Sequence, residues 1–266
     1  MRYLLARWPT FAVGYMLLVG LLLFMGISVG QGWLGFVPIS FALFLLTAYF
    51  LTTVVYLAHH IYDENGIQPH HLLFDMGDIQ DDDRFLFVEL GLRWQPMALA
   101  RRLTTGRIKV VDVYNPQLTE SSALARGRLQ APSPPDDPRL EWLAANINLL
   151  PLPDETATIC LLPELLSAFG QHGDRLILLR ELYRVLQPNG QLLLAERVSS
   201  QANWLLMGPA AASLETAVYW RELLAEAGFV IRKENNEQGL IYAIRAHKPT
   251  PFQARQLRLE LEFATA

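Results

Sequence analysis

What the sequence is short of narrows it first. It has one cysteine, Cys160, in 266 residues, so no disulfide within the chain is possible. A single thiol inside an apolar run fits a reducing compartment, and a packing role fits it better than a nucleophile's. Basic charge is not in excess: 22 Lys and Arg stand against 26 Asp and Glu, a net charge of −4. Nothing in that balance suggests a nucleic-acid partner. Charged residues make up 18% of the chain, against 52% hydrophobic. The shortage is concentrated at one end. Phe11 to Gly30 is twenty residues without a charge, and Leu34 to Leu57 is twenty-four more.

Those two runs are what is there in place of charge. At about 1.5 Å per residue the first spans roughly 30 Å, the thickness of a bilayer core. Only Gln31-Gly32-Trp33 separates them, so they are expected to form an antiparallel transmembrane hairpin over residues 1–58, with spans at about 11–30 and 34–57. Pro38 lies near the start of the second span, where its missing N–H costs little. Gly14, Gly20, Gly26, Ala42 and Ala48 would let the two backbones approach closely. A signal peptide fits less well, because a second apolar run follows instead of a polar mature chain. Arg2 and Arg7 precede the first span and the turn carries no basic residue. Positive-inside logic then puts the C-terminal domain in the cytoplasm, anchored to a cell membrane of the bacterial type. Trp8 and Trp33 fall at the two expected interfaces.

Residues 59–83 are polar and mixed, an expected juxtamembrane connector. It holds His59-His60 and His70-His71 beside Asp63 and Glu64. Such clusters bind transition metals when their spacing puts the ligands on one side. Adjacent histidines on a helix point apart and no H-E-x-x-H is present, so no metal is expected and an interfacial segment fits better. Pro69 to Met76 predicts a short helix with proline at its first position. Asp81-Asp82-Asp83 reads as a solvated turn.

The soluble domain is organised around Arg84 to Pro116. Phe85 to Glu89 is a short apolar strand ending in an acid, Gly91 a tight turn, Met97 to Leu103 a helix, and Ile108 to Val111 a second strand ending in Asp112. Two short strands joined by a helix make a βαβ unit on a parallel sheet. An acid closing the second strand, about twenty residues past the turn, is where nucleotide-binding folds hold a ribose hydroxyl. Glycine is scarce here, however: Arg93 and Gln95 stand where further glycines would let the backbone approach a ligand.

Further on, a helix is possible within Gln117 to Gln130, and Ala131 to Pro138 is a proline-rich loop. Strands are expected at Leu140–Ala144, Thr156–Leu162 and Gln191–Val198, and helices at Gly173–Leu186 and Thr216–Gly228, the latter ended by glycine. Phe229–Arg232 and Leu240–Arg245 close the sheet. Alternating strands and helices imply an α/β sheet covered on both faces.

Five segments together resemble the class I S-adenosylmethionine-dependent methyltransferases, in the branch similar to ubiquinone/menaquinone methyltransferases (methyltransferase type 11). Val88-Glu89-Leu90-Gly91 resembles the family's first motif and Val110-Val111-Asp112 its second. Asn146-Ile147-Asn148-Leu149-Leu150-Pro151-Leu152-Pro153-Asp154 is similar to its D-A-x-x-L-P-F-x-D loop. Leu179 to Leu192, L-R-E-L-Y-R-V-L-Q-P-N-G-Q-L, is similar to its E-x-x-R-V-L-K-P-G-G-x-L segment. Tyr219 to Phe229 resembles its late helix ending in A-G-F. The likeness runs over a domain at 84–248 and leaves out the hairpin and the tail, 249–266.

The resemblance implies a Rossmann-like, doubly wound, seven-stranded sheet and S-adenosylmethionine as cofactor. It implies that Glu89 and Gly91 hold the methionine end, Asp112 the ribose and Asn146 the adenine amine. Ile147 would pack on the adenine ring, and Leu162 to Glu164 would face the sulfonium and substrate. Holding the acceptor close and in line supplies most of a methyl transfer. Glu164, Tyr114 and His172 are candidate bases by position only. A bilayer tether suggests a lipophilic acceptor: a quinone, an isoprenoid or a lipid. Trp204 with Met207 to Ala212 would form an apolar lid or dock on the membrane. Two readings stand side by side: a membrane-anchored methyltransferase, and a non-catalytic methyltransferase-like module serving as a tethered binding protein. A reductase fits less well. The alternating tail, Leu257 to Phe263, would add an edge strand or bind a partner.

Overall fold

The computed structural model describes residues 8–63, 66–80, 83–103, 106–119, 121–253 and 255. Expectations resting on Arg2, Arg7, Glu64, Asp81, Asp82, Glu120 and Leu257–Phe263 lie outside them.

The two uncharged runs form helices α1, Trp8–Gly30, and α2, Val37–Tyr62, joined by a 3-10 turn at Leu34–Phe36. They pack as a hairpin whose large apolar side chains face outward: Tyr15, Leu23 and Leu34 are each about two-thirds exposed (67%, 63% and 65%). Among the glycines named above, Gly14 packs tightly, with Leu51 in the space a Cβ would take; Gly20 and Gly26 face open space. The second helix does not stop at Leu57. It carries His59 and His60 with it to Tyr62, and its last turns enter the soluble core, where Leu57, Ala58 and Ile61 are buried. The polarity of the histidine pair hides this in the sequence, yet neither histidine breaks a helix.

Helix α3, Pro69–Met76, has the bounds expected of it and lies against the sheet with Leu73 fully buried. The sheet has seven strands: β1 Phe85–Glu89, β2 Ile108–Asp112, β3 Leu140–Ala144, β4 Ala157–Pro163, β5 Leu186–Arg197, β6 Val230–Glu237 and β7 Ile241–His247. Their order is β3-β2-β1-β4-β5-β7-β6. The first five are parallel and β7 runs antiparallel to both β5 and β6.

The period of two in β1 shows how the faces divide. Phe85 and Phe87 join a core with Leu73, Phe74, Leu99 and the end of α2. Leu86 and Val88 join the opposite core with Val111, Leu179 and Trp220. Helix α4, Trp94–Ala100, lies on the first face; α6, His172–Val185, and α8, Ala217–Glu226, lie on the second. Helix α5 is shorter than its possible range, Ser122–Leu129, and is capped by the Ser121 hydroxyl, which accepts from Leu124 N.

Strand β5 begins earlier than its sequence indicates. Pro188-Asn189-Gly190 reads as a stop, yet Leu186 already pairs with Ala157 across an irregularity, and Asn189 takes φ +66° to keep the strand going. The segment after β5 forms α7, Gln201–Met207, and a 3-10 turn, Gly208–Ser213. It packs along α2: Tyr49 Oη donates to Leu205 O at 2.7 Å, and Phe50 fills the space beside Gly208.

Candidate cofactor site

From β1 the chain winds outward to β2 and β3, then returns to β4 on the other side of β1. Ligands of open α/β sheets bind at that reversal, outside the carboxyl ends of the strands. Glu89 ends β1, Asp112 ends β2 and Glu164 follows β4. Glu89 and Asp112 are register partners.

Glu89 is 5% exposed. Its Oε2 accepts from Arg93 N at 2.6 Å, while Oε1 has no partner among the described residues. Burial pushes its pKa up to about 7, against the pull of the Arg93 N–H and with a further push from Asp112. Gly91 has φ +75°, and a Cβ there would lie 2.7 Å from Asp112 Oδ2 and run into the Arg128 guanidinium. Only glycine fits. Arg93, standing where a glycine was expected, takes the conformation a glycine would take, with φ +66°. The turn therefore keeps its shape. The Arg93 side chain is directed to the Pro132 carbonyl, 3.1 Å away.

A different arginine reaches Asp112. Arg128 Nη1 donates to Asp112 Oδ1 at 2.9 Å, to Oδ2 at 2.8 Å and to Leu90 O at 2.6 Å. Its guanidinium lies 4.0 Å over the Tyr114 ring. Tyr114, a candidate base, is thus the platform for that arginine. Nothing in the sequence pairs residues 112 and 128. The contact arises because α5 folds back over the end of β2.

The adenine-side residues differ from one another. Asn146 is exposed in the loop after β3, its Oδ1 accepting from Asn148 N at 3.3 Å. Ile147 is 2% exposed and sits in the core with Val113 and Leu150. Leu162 is fully buried in the same core, so the expectation that it faces substrate is corrected. With Cys160, two residues earlier on the same face of β4, it packs into that core.

Glu164 has φ +51°, and its Oε1 accepts from Tyr62 Oη and from Arg197 Nε, both at 2.9 Å. Beside it Glu196 is fully buried, with Oε1 accepting from Leu166 N at 2.6 Å. Burial pushes its pKa up to about 8. His172 is held by Tyr219 and Glu226 of α8 instead of meeting a site acid. Cys160 is buried in β4, and burial pushes its thiol up, which suits a packing role. The connector histidines are used in packing: His60 Nε2 lies 2.6 Å from Gln238 Oε1, and His70 is buried edge-on to Trp94. Among the described residues no three His, Cys, Asp or Glu side chains form a metal group.

Residues 91–194 match the family model described as a methyltransferase domain. The fold is shared with a SAM-dependent methyltransferase from Aquifex aeolicus, at 18% identity and a TM-score of 0.52 over 68% of this chain and 89% of that one. It is shared with the putative methyltransferase bound to the Trm112 methyltransferase activator of Haloferax volcanii, at 13% identity and the same TM-score and coverage. The [4+2]-cyclase SpnF has it too, at 18% identity and a TM-score of 0.52 over 77% of this chain and 94% of that one. No curated protein matches the sequence. At these identities the structures share a fold with this chain, and SpnF, named for a cyclisation, shows that one fold serves more than one reaction.

The methyltransferase match implies S-adenosylmethionine as cofactor. The residues present fit it in part: Glu89 is a buried acid with one oxygen free of partners among the described residues, and Gly91 and Asp112 stand at the ends of β1 and β2, with the space beside both taken by Arg128 Nη1. Bound, the cofactor supplies an already activated methyl group.

Proposed function

We propose that the chain is a membrane-anchored S-adenosylmethionine-dependent methyltransferase whose acceptor is a lipophilic small molecule: a quinone, an isoprenoid or a lipid. The observation that carries this reading is the continuity of α2. One helix runs from an outward-facing apolar span into the core beside the crevice, and ends with Tyr62 bonded to Glu164. Both long helices have the length and composition to cross a bilayer, and almost none of their apolar windows is buried against protein. That argues against a core helix of a soluble protein, which would be covered on most sides. Helix α7 adds apolar surface beside the span through Trp204 and Leu205, 47% and 68% exposed. A crevice at the foot of a bilayer span suits an acceptor that partitions into lipid.

A second reading keeps the fold and the anchor but drops the chemistry. It is favoured by one observation, the engagement of both Asp112 carboxylate oxygens by Arg128. The experiment that separates the readings is calorimetric titration of the full chain, in lipid nanodiscs, with S-adenosylmethionine and S-adenosylhomocysteine, beside Asp112→Ala. Micromolar binding lost in the variant supports the enzyme. Absence of binding up to about millimolar, a free energy near −4 kcal/mol, in a folded chain and in an Arg128→Ala variant leaves the tethered module.

A further inference from the structure

The crevice contains three polar side chains that neither the first nor the second methyltransferase motif accounts for. Tyr62 ends α2, Glu164 follows β4 and Arg197 ends β5. Glu164 Oε1 accepts from Tyr62 Oη and Arg197 Nε, each at 2.9 Å, and Arg197 Nη2 donates to Tyr62 Oη at 2.5 Å. The ion pair is largely desolvated, with side chains 10% and 15% exposed. Tyr62 also turns its ring edge-on to Trp94, 6.2 Å away, the first residue of α4 after the Gly91–Arg93 turn. It therefore touches both sides of the topological reversal: the β1 turn on one side and the ends of β4 and β5 on the other.

The charges here have a definite complement. A zwitterionic α-amino carboxylate needs donors for its carboxylate and anions for its ammonium. Arg197 and Tyr62 are the donors. Glu164 is one anion, and Glu89, at the end of the strand next to β4, is a second whose buried Oε1 has no partner among the described residues. A guest with one charge of each sign takes the place of each partner in the Arg197–Glu164 pair, and the cost of desolvating those two side chains has already been met in folding.

We propose that Tyr62, Glu164 and Arg197 form, with Glu89, a clamp for the α-amino-acid end of the cofactor, so that the membrane helix contributes a binding residue to the site. This rests on the cofactor reading above. Tyr62 binds as a donor and, through Trp94, positions the turn that holds Gly91.

The test uses two ligands that differ only at that end. S-adenosylhomocysteine carries the amino-acid group; 5′-methylthioadenosine keeps the nucleoside and sulfur and lacks it. Both are titrated into the full chain in nanodiscs, as wild type, Tyr62→Phe and Glu164→Gln. Tyr62→Phe keeps the ring against Trp94 and removes only the hydroxyl. The expected result is a wild type that prefers S-adenosylhomocysteine and loses roughly tenfold or more of that affinity in each variant, the loss of a charge-assisted hydrogen bond, with 5′-methylthioadenosine unchanged. Equal losses for both ligands mean a merely structural strut and overturn the clamp. So does unchanged S-adenosylhomocysteine binding in both variants, which would point instead to contact with the acceptor. A wild type that binds the two ligands equally overturns the clamp and leaves the cofactor reading intact. A wild type and an Arg128→Ala variant that bind neither overturn both.

Discussion

Arg128 holds Asp112 through a single nitrogen. Nη1 reaches both carboxylate oxygens, at 2.9 and 2.8 Å, and spends its remaining reach on the Leu90 carbonyl at 2.6 Å. In the proposed cofactor site a ribose diol would need those same two acceptors, so nucleoside and guanidinium would compete for one carboxylate. Removing the competitor should therefore tighten binding. Arg128→Ala is expected to raise affinity for S-adenosylhomocysteine about tenfold, the scale of one charge-assisted bond, whereas Asp112→Ala abolishes it. Calorimetry checks both, and a weaker Arg128→Ala would make the arginine a ligand-holding group instead.

Glu89 is expected to make binding depend on pH. Its pKa in the folded chain is raised to about 7 by burial, so near neutrality it is partly protonated. An ammonium guest needs the ionised form. Affinity for S-adenosylhomocysteine is expected to climb between pH 6 and pH 8 with a midpoint near 7, and to be weak and flat in Glu89→Gln. Titrations at three pH values decide it, and a slope that survives in Glu89→Gln belongs to another group.

Glu196 shifts stability instead. Its folded pKa is raised from 4.5 to about 8 by full burial. Between those values the unfolded chain has released the proton and the folded chain retains it, so raising the pH favours unfolding. The melting temperature should fall as pH rises from about 4.5 to about 8. Glu196→Gln, which keeps an acceptor for Leu166 N, should flatten much of that decline in thermal melts, leaving the part due to Glu89.

The turn after β1 offers a paired test. Gly91→Ala places a methyl group against Asp112 and Arg128 at φ +75°, and should cost at least about 1–2 kcal/mol from backbone strain alone. Arg93→Gly relieves a left-handed arginine at φ +66° at the expense of chain entropy, so its stability should stay within about 1 kcal/mol of wild type. Denaturant unfolding of the two variants compares them directly.

Much of the fold was legible because its signals are local. Alternation marks β1 and β2, the Pro69 start marks α3 with its bounds, and Thr216 and Gly228 mark the two ends of α8 and its exit. The positions of Glu89, Gly91 and Asp112 were legible, because two strand ends and the turn between them define them. The site was misread where facing matters: Leu162 has the right address but the inward side of its strand. The expected contest over the missing glycine was also displaced. Arg93 adopts glycine's backbone, while the guanidinium that meets Asp112 comes from Arg128, sixteen positions beyond that acid, through a helix whose path no local pattern encodes. Tyr62 escaped notice for a similar reason. The polar residues before it look like the start of a linker, and only packing shows that the helix has not ended.

On the membrane-anchored reading proposed above, that unbroken helix is a mast instead of a tether. A flexible linker would let the domain roll over the bilayer and sample many heights. Here Leu57, Ala58 and Ile61 are locked in the domain core while the preceding turns stand among the outward-facing apolar side chains, so on that reading the crevice would have one elevation and one heading. Each residue inserted into α2 below Leu57 would lift the crevice by about 1.5 Å and swing it by about 100°. On the same reading, a molecule diffusing in the plane of the lipid would meet an opening whose compass direction is written in the helical register of the span.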